Sequence, residues 1–396
     1  MRYRYVTLLS ITLLALCLGI SLKREASTGT FNKDALRARG YGGTIAIILT
    51  TDQEQHITSL RVLAHNETPS YIGDLGTFLG QFIGKGPGSA LTLGEDIDGI
   101  TRATITSAGI TRAVRERLRP TPSTASEPVS LLPAIPAFLL LSLALAALLL
   151  KNTALRWLAM LGGFIYFGLI ERSMLSIIQV INAATLHTPG LDINILWLIC
   201  LIIGFIPALF IGRIYCGSLC PLALVQELLA ITLPKRLLPK AIPPEQIRTA
   251  KTVKYLIAII LIGLCLTVGN AAPANIEPFI TLFTLHGTCL AWCLLGLILV
   301  ISLFYFRFWC LYLCPVGALT GLVARWSLFK PAPSKECSSC GLCAAKCPTQ
   351  AIEKTPAGLW TVDMTECILC GECLKECRTP KNATSCFVLK CPYGNQ

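Results

Sequence analysis

The sequence predicts a multi-domain membrane protein with a small α+β domain, an α-helical transmembrane bundle and a second small α+β domain rich in cysteine. Three observations support this architecture. Hydrophobic residues make up 53% and charged residues only 14% of the 396 residues, which is more apolar than soluble proteins usually are. Long apolar runs alternate with polar segments. Of the 19 cysteines, 12 lie within the last 87 residues, which predicts metal binding at that end of the chain.

The first apolar run, residues 5–22, has arginine before it and Lys23 and Arg24 after it. Secretory signals and membrane anchors share this pattern. No small-x-small cleavage site stands out at its end, so we favour an uncleaved membrane anchor for residues 1–24, with a cleaved signal as the alternative.

Residues 25–125 form a polar block of about the size of one small domain, and the block contains no cysteine. The runs TIAIILTT at 44–51 and ITSLRVLA at 57–64 predict strands, and glycine-rich turns accompany them. A hydroxyl-rich stretch at 98–114, DGITRATITSAGITRAV, follows, and its second half is typical of a capped helix. The block therefore predicts a small α+β domain.

Five apolar segments within residues 126–328 predict transmembrane helices. Each reaches or approaches the roughly 20 residues needed to cross a hydrocarbon core of roughly 30 Å. In chain order they are VSLLPAIPAFLLLSLALAALLL, LRWLAMLGGFIYFGLIERSMLSII, INILWLICLIIGFIPALFIG, YLIAIILIGLCLTVGNAA and CLAWCLLGLILVISLFYF. With the anchor, six spans are expected.

The distribution of lysine and arginine among the loops predicts the orientation of these spans. The loop 221–254 and the link after the first bundle span are basic, whereas the loops 181–192 and 274–288 contain neither lysine nor arginine. We therefore expect a multi-pass protein of the inner (cytoplasmic) membrane, with residues 25–125 outside and both termini in the cytoplasm. The net charge of +12 is a topology signal, so no nucleic acid partner is expected. For the same reason we interpret the basic stretch 235–254 as topology-setting and not as a docking surface.

The C-terminal segment 329–396 contains two cysteine runs with the spacing C-x2-C-x2-C-x3-C. The runs are Cys337, Cys340, Cys343 and Cys347, followed by Pro348, and then Cys367, Cys370, Cys373 and Cys377. In bacterial ferredoxin runs, three thiolates bind one [4Fe–4S] cluster and the fourth binds the other cluster. We assign cluster one to Cys337, Cys340, Cys343 and Cys377, and cluster two to Cys367, Cys370, Cys373 and Cys347. Zinc is disfavoured because zinc sites usually show two separated ligand pairs. The segment therefore predicts a cytoplasmic α+β ferredoxin-like domain with two [4Fe–4S] clusters.

Two further cysteine pairs follow predicted spans. They are Cys216 and Cys220 in RIYCGSLCPLAL, and Cys310 and Cys314 in RFWCLYLCPVGAL. Each pair has the pattern C-x3-C-P with an arginine just upstream, and both fall on the cytoplasmic side. If the spans pack together, the four thiols converge beneath the bundle, which is enough for another iron–sulfur centre or for thiol chemistry. The alternative is that they are small buried residues at helix ends, and the sequence leaves the ligand open.

Two charged residues, Glu171 and Arg172, lie within the second bundle segment. Charged residues at membrane depth are functional candidates. A span that ends early would instead leave them as a solvated ion pair at the outer interface. The sequence leaves both interpretations open.

The stretch from Asp98 to Thr104, DGITRAT, resembles the flavinylation motif D-x-x-[ST]-G-A-T of FMN-binding domains in sodium-pumping quinone reductases, Rnf complexes and the NosR/NirI family. The resemblance implies FMN joined through its phosphate to the hydroxyl of Thr104, and an ApbE-type flavin transferase as a partner. Arg102 departs from the glycine of the motif. The other cofactor-binding residues that the resemblance implies are Asp98, Thr101, Ala103, Glu67 and Thr68.

The order of anchor, FMN domain, bundle with two C-x3-C-P motifs and ferredoxin domain resembles the NosR/NirI family of respiratory electron donors. The bundle and ferredoxin together are similar to NapH-type quinol dehydrogenases. The resemblance implies an oxidoreductase component that transfers electrons across the membrane, from a cytoplasmic electron donor or quinol to an extracytoplasmic redox acceptor. Membrane lipid is the expected surrounding, and a quinone in the bundle is a further candidate cofactor. A redox sensor or regulator, or an accessory subunit of an ion-pumping Rnf/Nqr-like complex, are the alternatives.

Overall fold

The structure, a computed structural model, describes residues 36–40, 44–65, 75–100, 103–119, 131–132, 134–184, 195–232, 244–268, 273–274, 277–285, 289–333, 340–355, 360–375 and 387–390. The predicted anchor lies outside these residues. The chain divides into two compact units. The first unit is Met1–Leu132, Ser176–Leu198 and Ile259–Ala291, and the second is Pro133–Leu175, Ile199–Ala258 and Trp292–Gln396.

The first unit contains a three-stranded antiparallel sheet in the order β1-β2-β3. The strands are β1 (Leu36–Arg39), β2 (Thr44–Thr51) and β3 (Ile57–Ala64), so β2 and β3 have the bounds that the sequence predicts. In β2 the side chains alternate across the sheet. Ile45 and Ile47 are buried as a result, whereas Thr50 is exposed.

Two helices follow this sheet, α1 (Leu75–Gly80) and α2 (Thr104–Leu118). Helix α2 buries Ile110, Ala113, Val114 and Leu118, which share one face because they are three, four and eight residues apart. This face joins the buried strand residues in one apolar core. The α+β fold expected for residues 25–125 is therefore formed by the described part of that block.

The helical part of the chain begins at residue 134. Its helices are α3 (Ala134–Leu149), α4 (Thr153–Gly163), α5 (Ile177–Ala184), α6 (Ile195–Phe210), α7 (Ile214–Ser218), α8 (Pro221–Thr232), α9 (Pro244–Val268), α10 (Pro278–Thr284), α11 (Cys289–Phe304) and α12 (Pro315–Ala324). Helix α4 continues as a π-helix over Phe164–Ile170, and a second π-helix, Trp309–Leu313, precedes α12.

All five apolar segments that the sequence predicts as spans contain a helix. Two helical stretches in the described residues are long and apolar enough to cross a membrane, Thr153–Ile170 and Ala250–Thr267. The other three, α3, α6 and α11, are apolar helices of 16 residues each. Two such helices are weak support for a membrane protein, so the full bundle stays a prediction.

The second predicted span ends earlier than its apolar sequence indicates. Its helix ends at Ile170, and the backbone N–H of Glu171 closes the last turn on the carbonyl of Tyr166 at 2.9 Å. Arg172 then adopts a left-handed backbone conformation with φ of 49°, which ends a helix because L-residues rarely continue from it. Glu171 and Arg172 are both exposed. This geometry favours the interpretation that the pair lies beyond the end of the helix.

The C-terminal domain of the second unit consists of short strands and short helices. Strand β4 (Lys330–Pro333) pairs antiparallel with β7 (Phe387–Lys390), and β5 (Ile352–Lys354) pairs antiparallel with β6 (Trp360–Val362). The helices α13 (Leu342–Ala345) and α14 (Glu372–Lys375) each begin within one cysteine run. This domain is the small α+β unit that the two cysteine runs predict.

Asp96 organises the turn that precedes the hydroxyl-rich stretch of the first unit. Its carboxylate accepts hydrogen bonds from the backbone N–H groups of Leu91 and Thr92 at 2.9 and 2.7 Å, and from Lys85 Nζ at 3.1 Å. Burial by itself raises the pKa of Asp96, but these hydrogen bonds outweigh it and lower the pKa from 3.8 to about 2. The stabilisation is therefore present above pH 3.8 and is lost as the pH falls towards 2.

We expect Asp96→Asn to destabilise this turn by about 1–3 kcal/mol at neutral pH, because the charge and one acceptor for the two backbone amides are lost. Hydrogen–deuterium exchange of the full-length protein should be faster in peptides covering residues 85–97. Glu95→Gln is the matched control, since Glu95 is exposed. Equal exchange in the two variants would contradict the role assigned to Asp96.

Candidate functional site

Both C-x3-C-P motifs place their second cysteine at the N-terminus of a helix. Cys220 precedes α8 and Cys314 is the N-cap of α12, and the proline after each cysteine begins the helix. The thiol of Cys314 accepts a hydrogen bond from the backbone N–H of Gly317 at 3.2 Å. At the other motif the backbone N–H of Ala223 donates to the carbonyl of Cys220 at 3.2 Å. A helix N-terminus favours a thiolate at this position because the positive end of the helix dipole lies there.

The four cysteines of these motifs lie within electrostatic range of one another or of one shared arginine, and their use as one site stays a prediction. Cys216 and Cys310 lie within electrostatic range of Cys220, and Cys216 lies within range of Cys310. Arg213 lies within range of both Cys216 and Cys314, which brings the fourth thiol to the same place. We call this group of four cysteines the four-thiol site. Its ligand stays a prediction.

A buried glutamine holds one side of the four-thiol site. Gln226 Nε2 donates to the thiol of Cys310 at 3.2 Å, and its Oε1 accepts from the backbone N–H of Trp309 at 2.9 Å. On another side the hydroxyl of Thr320 lies 3.6 Å from the thiol of Cys216. Sequence analysis missed both residues. The signal for Gln226 was a polar side chain, next to Glu227, within the otherwise apolar run PLALVQELLAIT that follows the second cysteine of the first motif.

Buried charges surround the first cysteine loop. Arg307 pairs with Glu227 at 2.7 Å, Arg156 pairs with the same carboxylate oxygen, and all three side chains are at most 6% exposed. Arg156 Nε donates to the carbonyl of Gly217 at 3.1 Å. Arg307 donates to the carbonyls of Cys216 and Gly217. Because buried guanidinium groups stay protonated, this network keeps positive charge beside the thiols.

Three residues at the four-thiol site carry a buried N–H group without a hydrogen-bond partner in the part of the chain that the structure describes. The atoms are Arg213 Nε, Arg307 Nε and Trp309 Nε1. Unsatisfied buried donors are costly, above all on charged groups. Anionic sulfur in a metal–sulfur centre would supply acceptors for such donors. The residues therefore fit an anionic centre bound by the four thiols.

The ligands assigned to cluster two line one cavity. The cavity has a volume of about 130 Å³, and Cys347, Cys367, Cys370 and Cys373 all face it. Burial raises the pKa of the Cys373 thiol to about 12, so a bound metal is what would hold this residue as a thiolate. The four cysteines predicted for cluster two are thus the ones that the fold brings together.

The spacing of these thiols bears on the kind of metal centre. Among the described residues, no three His, Cys, Asp or Glu side chains lie close enough to share one metal ion. A four-iron cluster needs wider spacing than a single ion, because each thiolate binds a different iron atom. All four side chains assigned to cluster two are cysteines, which is the ligand set of a [4Fe–4S] cluster, and the assignment stays a prediction.

The residues of cluster one are described only in part. Cys340 and Cys343 belong to the described chain, whereas Cys337 and Cys377 lie outside it. The two cysteine runs share one backbone feature: Gly341 and Gly371, which directly follow the second cysteine of each run, have φ of 79° and 80°. Glycine adopts this left-handed conformation without strain, so each run can turn tightly between its ligands.

Two lysines of α9 bind the ferredoxin domain next to the cysteines assigned to cluster two. Lys254 Nζ lies 2.7 and 2.8 Å from the carboxylate oxygens of Glu366, which directly precedes Cys367. Lys251 Nζ donates to the carbonyl of Thr349 at 2.7 Å, two residues after Cys347. Both lysines are buried. Two lysines of the stretch 235–254, which we interpret as topology-setting, therefore bind this chain's own ferredoxin domain, and the topology itself stays a prediction.

The loops of the four-thiol site and of cluster two touch through their backbones. Gly217 lies between Cys216 and Cys220, and Ile368 lies between Cys367 and Cys370. A Cβ atom on Gly217 would meet the carbonyl oxygen of Ile368 at 1.9 Å, so only glycine fits. Arg307 accordingly lies within electrostatic range of Cys370 as well as of Cys220 and Cys310.

The flavinylation motif lies at the start of α2 in the first unit. Thr104 is the first residue of this helix, and the first turn of a helix offers free backbone N–H groups to a phosphate. Asp98 is exposed, and its backbone exchanges two hydrogen bonds with the side chain of Gln81 at 2.8 and 3.0 Å. Ser107 Oγ accepts from the backbone N–H of Ile100 at 2.9 Å, which ties the motif to the helix.

The other residues of the predicted flavin site are placed only in part. Ala103 is buried and directly precedes the helix. Thr101, Glu67 and Thr68 lie outside the described residues. The described geometry therefore fits the motif at Asp98, Ala103 and Thr104, and the assignment of these residues to FMN stays a prediction.

Three family models match the chain. A model described as FMN-binding domain matches residues 40–119, one described as 4Fe-4S binding domain matches residues 193–240 and 290–333, and one described as 4Fe-4S dicluster domain matches residues 336–381. The second model covers both C-x3-C-P motifs. These domains define the class of the protein: it is an iron–sulfur flavoprotein with a redox role.

Relatives narrow this class to a family. The uncharacterized protein MJ0749 of Methanocaldococcus jannaschii is 32% identical over 187 residues, which is 47% of this chain and 70% of that protein. The regulatory protein NosR of Pseudomonas aeruginosa is 36% identical over 171 residues, 41% of this chain and 23% of NosR. Protein NirI of Paracoccus denitrificans is 32% identical over 195 residues, 46% of this chain and 27% of NirI. The chain belongs to the family that includes MJ0749, and it is a NosR/NirI-like protein. No solved structure matches it.

We expect Lys254→Met to weaken binding of cluster two. The change leaves the buried carboxylate of Glu366 without its cation beside Cys367, which costs about 3–5 kcal/mol in comparable buried pairs. Iron and labile sulfide per chain should fall, together with the signal of one cluster in electron paramagnetic resonance (EPR) spectra.

The double variant Lys254→Met/Glu366→Gln is the matched control for this prediction. It removes both charges, so it should recover most of the iron that the single variant loses. Wild-type iron content in the single variant would show that the ion pair does not support the cluster.

Proposed function

We propose that this protein transfers electrons across the cytoplasmic membrane, from a cytoplasmic donor or quinol to an extracytoplasmic redox acceptor. Its ferredoxin domain lies on the cytoplasmic side and its FMN domain outside. The redox role of the domains supports the chemistry, and the distribution of basic loops supports the orientation.

One structural observation carries this proposal. The backbone contact between Gly217 and Ile368 joins the loop of the four-thiol site to the loop of cluster two. Electron transfer falls off steeply with distance, and a hydrocarbon core of roughly 30 Å is too wide for one efficient hop. A contact between two cysteine loops, one following a membrane helix and one in a ferredoxin domain, shortens the first step of such a route.

The residues of the chain have distinct roles in this proposal. Cys337, Cys340, Cys343 and Cys377 hold cluster one, and Cys347, Cys367, Cys370 and Cys373 hold cluster two. The four-thiol site holds a third iron–sulfur centre, for which Gln226 and Thr320 orient the thiols. Thr104 carries FMN, attached by an ApbE-type transferase. Iron–sulfur clusters supply one-electron transfer, and a flavin exchanges one or two electrons.

A second candidate function is a membrane redox sensor or regulator. The name of a relative, regulatory protein NosR, favours it. A sensor changes its redox state without sustained flux, whereas a carrier turns over as long as donor and acceptor are present. Continuous reduction of an external acceptor therefore separates the two functions.

We expect Thr104→Ala to abolish covalent flavin. The protein is coexpressed with an ApbE-type transferase, denatured and separated on a gel, and flavin fluorescence is recorded at the position of the chain. The wild type should fluoresce, and the variant should be dark because the acceptor hydroxyl is missing. Thr104→Ser keeps a hydroxyl and should stay fluorescent, whereas fluorescence in Thr104→Ala would place the flavin elsewhere.

Transmembrane electron flow can be tested in liposomes that contain the full-length flavinylated protein. Ferricyanide is enclosed inside, dithionite is added outside, and the loss of ferricyanide absorbance is followed. Neither ion crosses the bilayer readily, so sustained loss requires a route through the protein. If ferricyanide in these liposomes is reduced no faster than in protein-free liposomes, the proposed function is wrong.

We expect Gly217→Ala to slow this reaction at least several-fold, because the added Cβ forces the loop of cluster two away from the four-thiol site. Gly296→Ala in α11 is the matched control, since its Cβ would meet no atom within 4 Å. Iron content is measured in both variants. An unchanged rate in Gly217→Ala with normal iron would remove the loop contact from the route.

A further inference from the structure

The two C-x3-C-P motifs form a repeat that is longer than the cysteines alone. Each begins with an arginine three residues before its first cysteine, so both read R-x2-C-x3-C-P. Arg213 and Arg307 are the two arginines, and they are 1% and 0% exposed. Arginine is almost never buried without a compensating anion. The burial of both arginines is therefore costly unless an anion lies beside them.

Each arginine interacts with cysteines of both motifs. Arg213 lies within electrostatic range of Cys216, in its own motif, and of Cys314, in the other motif. Arg307 lies within range of Cys310, in its own motif, and of Cys220, in the other motif. Each arginine therefore faces the first cysteine of one motif and the second cysteine of the other. Arg213 also lies within range of Cys310, so the two arginines share that thiol.

Two of the four thiols also accept a hydrogen bond. The backbone N–H of Gly317, at the N-terminus of α12, donates to Cys314 at 3.2 Å. Gln226 Nε2 donates to Cys310 at 3.2 Å. Hydrogen bonds to cluster sulfurs and nearby positive charge both stabilise the reduced, more negative state of an iron–sulfur centre.

The buried carboxylate at this site does not cancel the positive charge. Glu227 binds Arg307 and Arg156 together, so one negative charge faces two cations. Arg213 has a different partner, the carbonyl of Thr365 at 2.7 Å. The described surroundings of the four thiols therefore contain more positive than negative charge.

We propose that Arg213 and Arg307 raise the reduction potential of the centre at the four-thiol site above that of cluster two, and so direct electrons from the ferredoxin domain towards the membrane helices. This inference rests on the proposed third centre. In the step, one electron leaves cluster two, which is oxidised by one electron, and the centre at the four-thiol site is reduced by one electron. No bond to a substrate forms or breaks.

The two arginines differ in reach, which makes the proposal testable. Arg307 lies within range of Cys370 in cluster two as well as of Cys220 and Cys310. Arg213 interacts with Cys216, Cys310 and Cys314 of the four-thiol site, and towards cluster two it interacts with Glu366 and donates to the carbonyl of Thr365. Removing the charge of Arg213 should therefore shift the potential of the third centre more than that of cluster two, whereas removing the charge of Arg307 should shift both.

The experiment is a potentiometric titration of the purified full-length protein, followed by EPR. In Arg213→Gln the third centre should titrate at a lower potential, with a smaller shift of cluster two. A loss of about tenfold in the equilibrium constant for reducing the third centre corresponds to a shift of about 59 mV for one electron. In Arg307→Gln both centres should shift to lower potential.

Control variants separate charge from folding. Arg213→Lys and Arg307→Lys restore one charged nitrogen but not the guanidinium geometry, so their potentials should fall less than those of the glutamine variants. Arg117→Gln, at an exposed position of α2, removes the same formal charge elsewhere and should leave every potential unchanged.

The possible outcomes distinguish this inference from the proposed function. If the wild type contains no more iron than two four-iron clusters hold and gives no third signal, the third centre is wrong and this inference falls with it. If the third centre is present but its potential is unchanged in Arg213→Gln and Arg307→Gln, or lies below that of cluster two in the wild type, only the role of the arginines is overturned.

Discussion

The arrangement of the second unit depends on one buried carboxylate. Glu227 holds Arg156 and Arg307 against each other, and both arginines donate to the carbonyl of Gly217. The two arginines thereby fix the backbone of the loop between Cys216 and Cys220. Gly217 of this loop contacts the loop of cluster two. Burying three charges is expensive unless each is paired. The chain places this cost at the loop where two cysteine motifs must meet.

Two lysines contribute both to the predicted membrane orientation and to the contact with the ferredoxin domain. Lys251 and Lys254 lie in a basic loop of the kind that remains cytoplasmic during membrane insertion, and in the folded chain they bind Thr349 and Glu366. A residue that orients a span can therefore also dock the domain that folds after it. This places the ferredoxin domain and the basic loop on the same side of the membrane in the proposed topology, because the two are in contact.

Local patterns carried much of the prediction. The bounds of β2 and β3 follow from alternation and β-branched residues, and the helices follow from apolar runs. Spacing groups the four cysteines assigned to cluster two, whose side chains line one cavity. These features depend on neighbours in the sequence. The resemblance at Thr104 likewise rests on a contiguous motif. What local patterns could not supply was the partner of each charged residue, because Arg156 and Glu227, or Lys254 and Glu366, meet only after folding.

The second predicted span shows a different limit of local patterns. Its apolar sequence continues past Glu171, and hydropathy therefore extends the helix to Ile178. The backbone instead passes through a π-helix and reaches a left-handed residue at Arg172. Hydropathy measures the average polarity of a window and does not sense the dihedral angle of one residue. Gln226 was missed for a related reason, since one amide in an apolar run changes the average little.

The structure uses lysine beside Glu366 and arginine beside the thiols, and the different chemistry of the two side chains explains this choice. Lys254 is buried against Glu366, and an ammonium group can lose its proton when it is desolvated, so it needs that carboxylate beside it. Beside the thiols the cation must persist whether the centre is oxidised or reduced, and a guanidinium does so because its pKa is far above neutrality. Its five N–H groups can also serve a carbonyl and an anionic sulfur at once. Arg307 uses two of its nitrogens on the carbonyls of Cys216 and Gly217 and keeps its Nε–H without a partner among the described residues. A lysine at this position could hold the loop or face the sulfur, but its single nitrogen could not do both in fixed geometry.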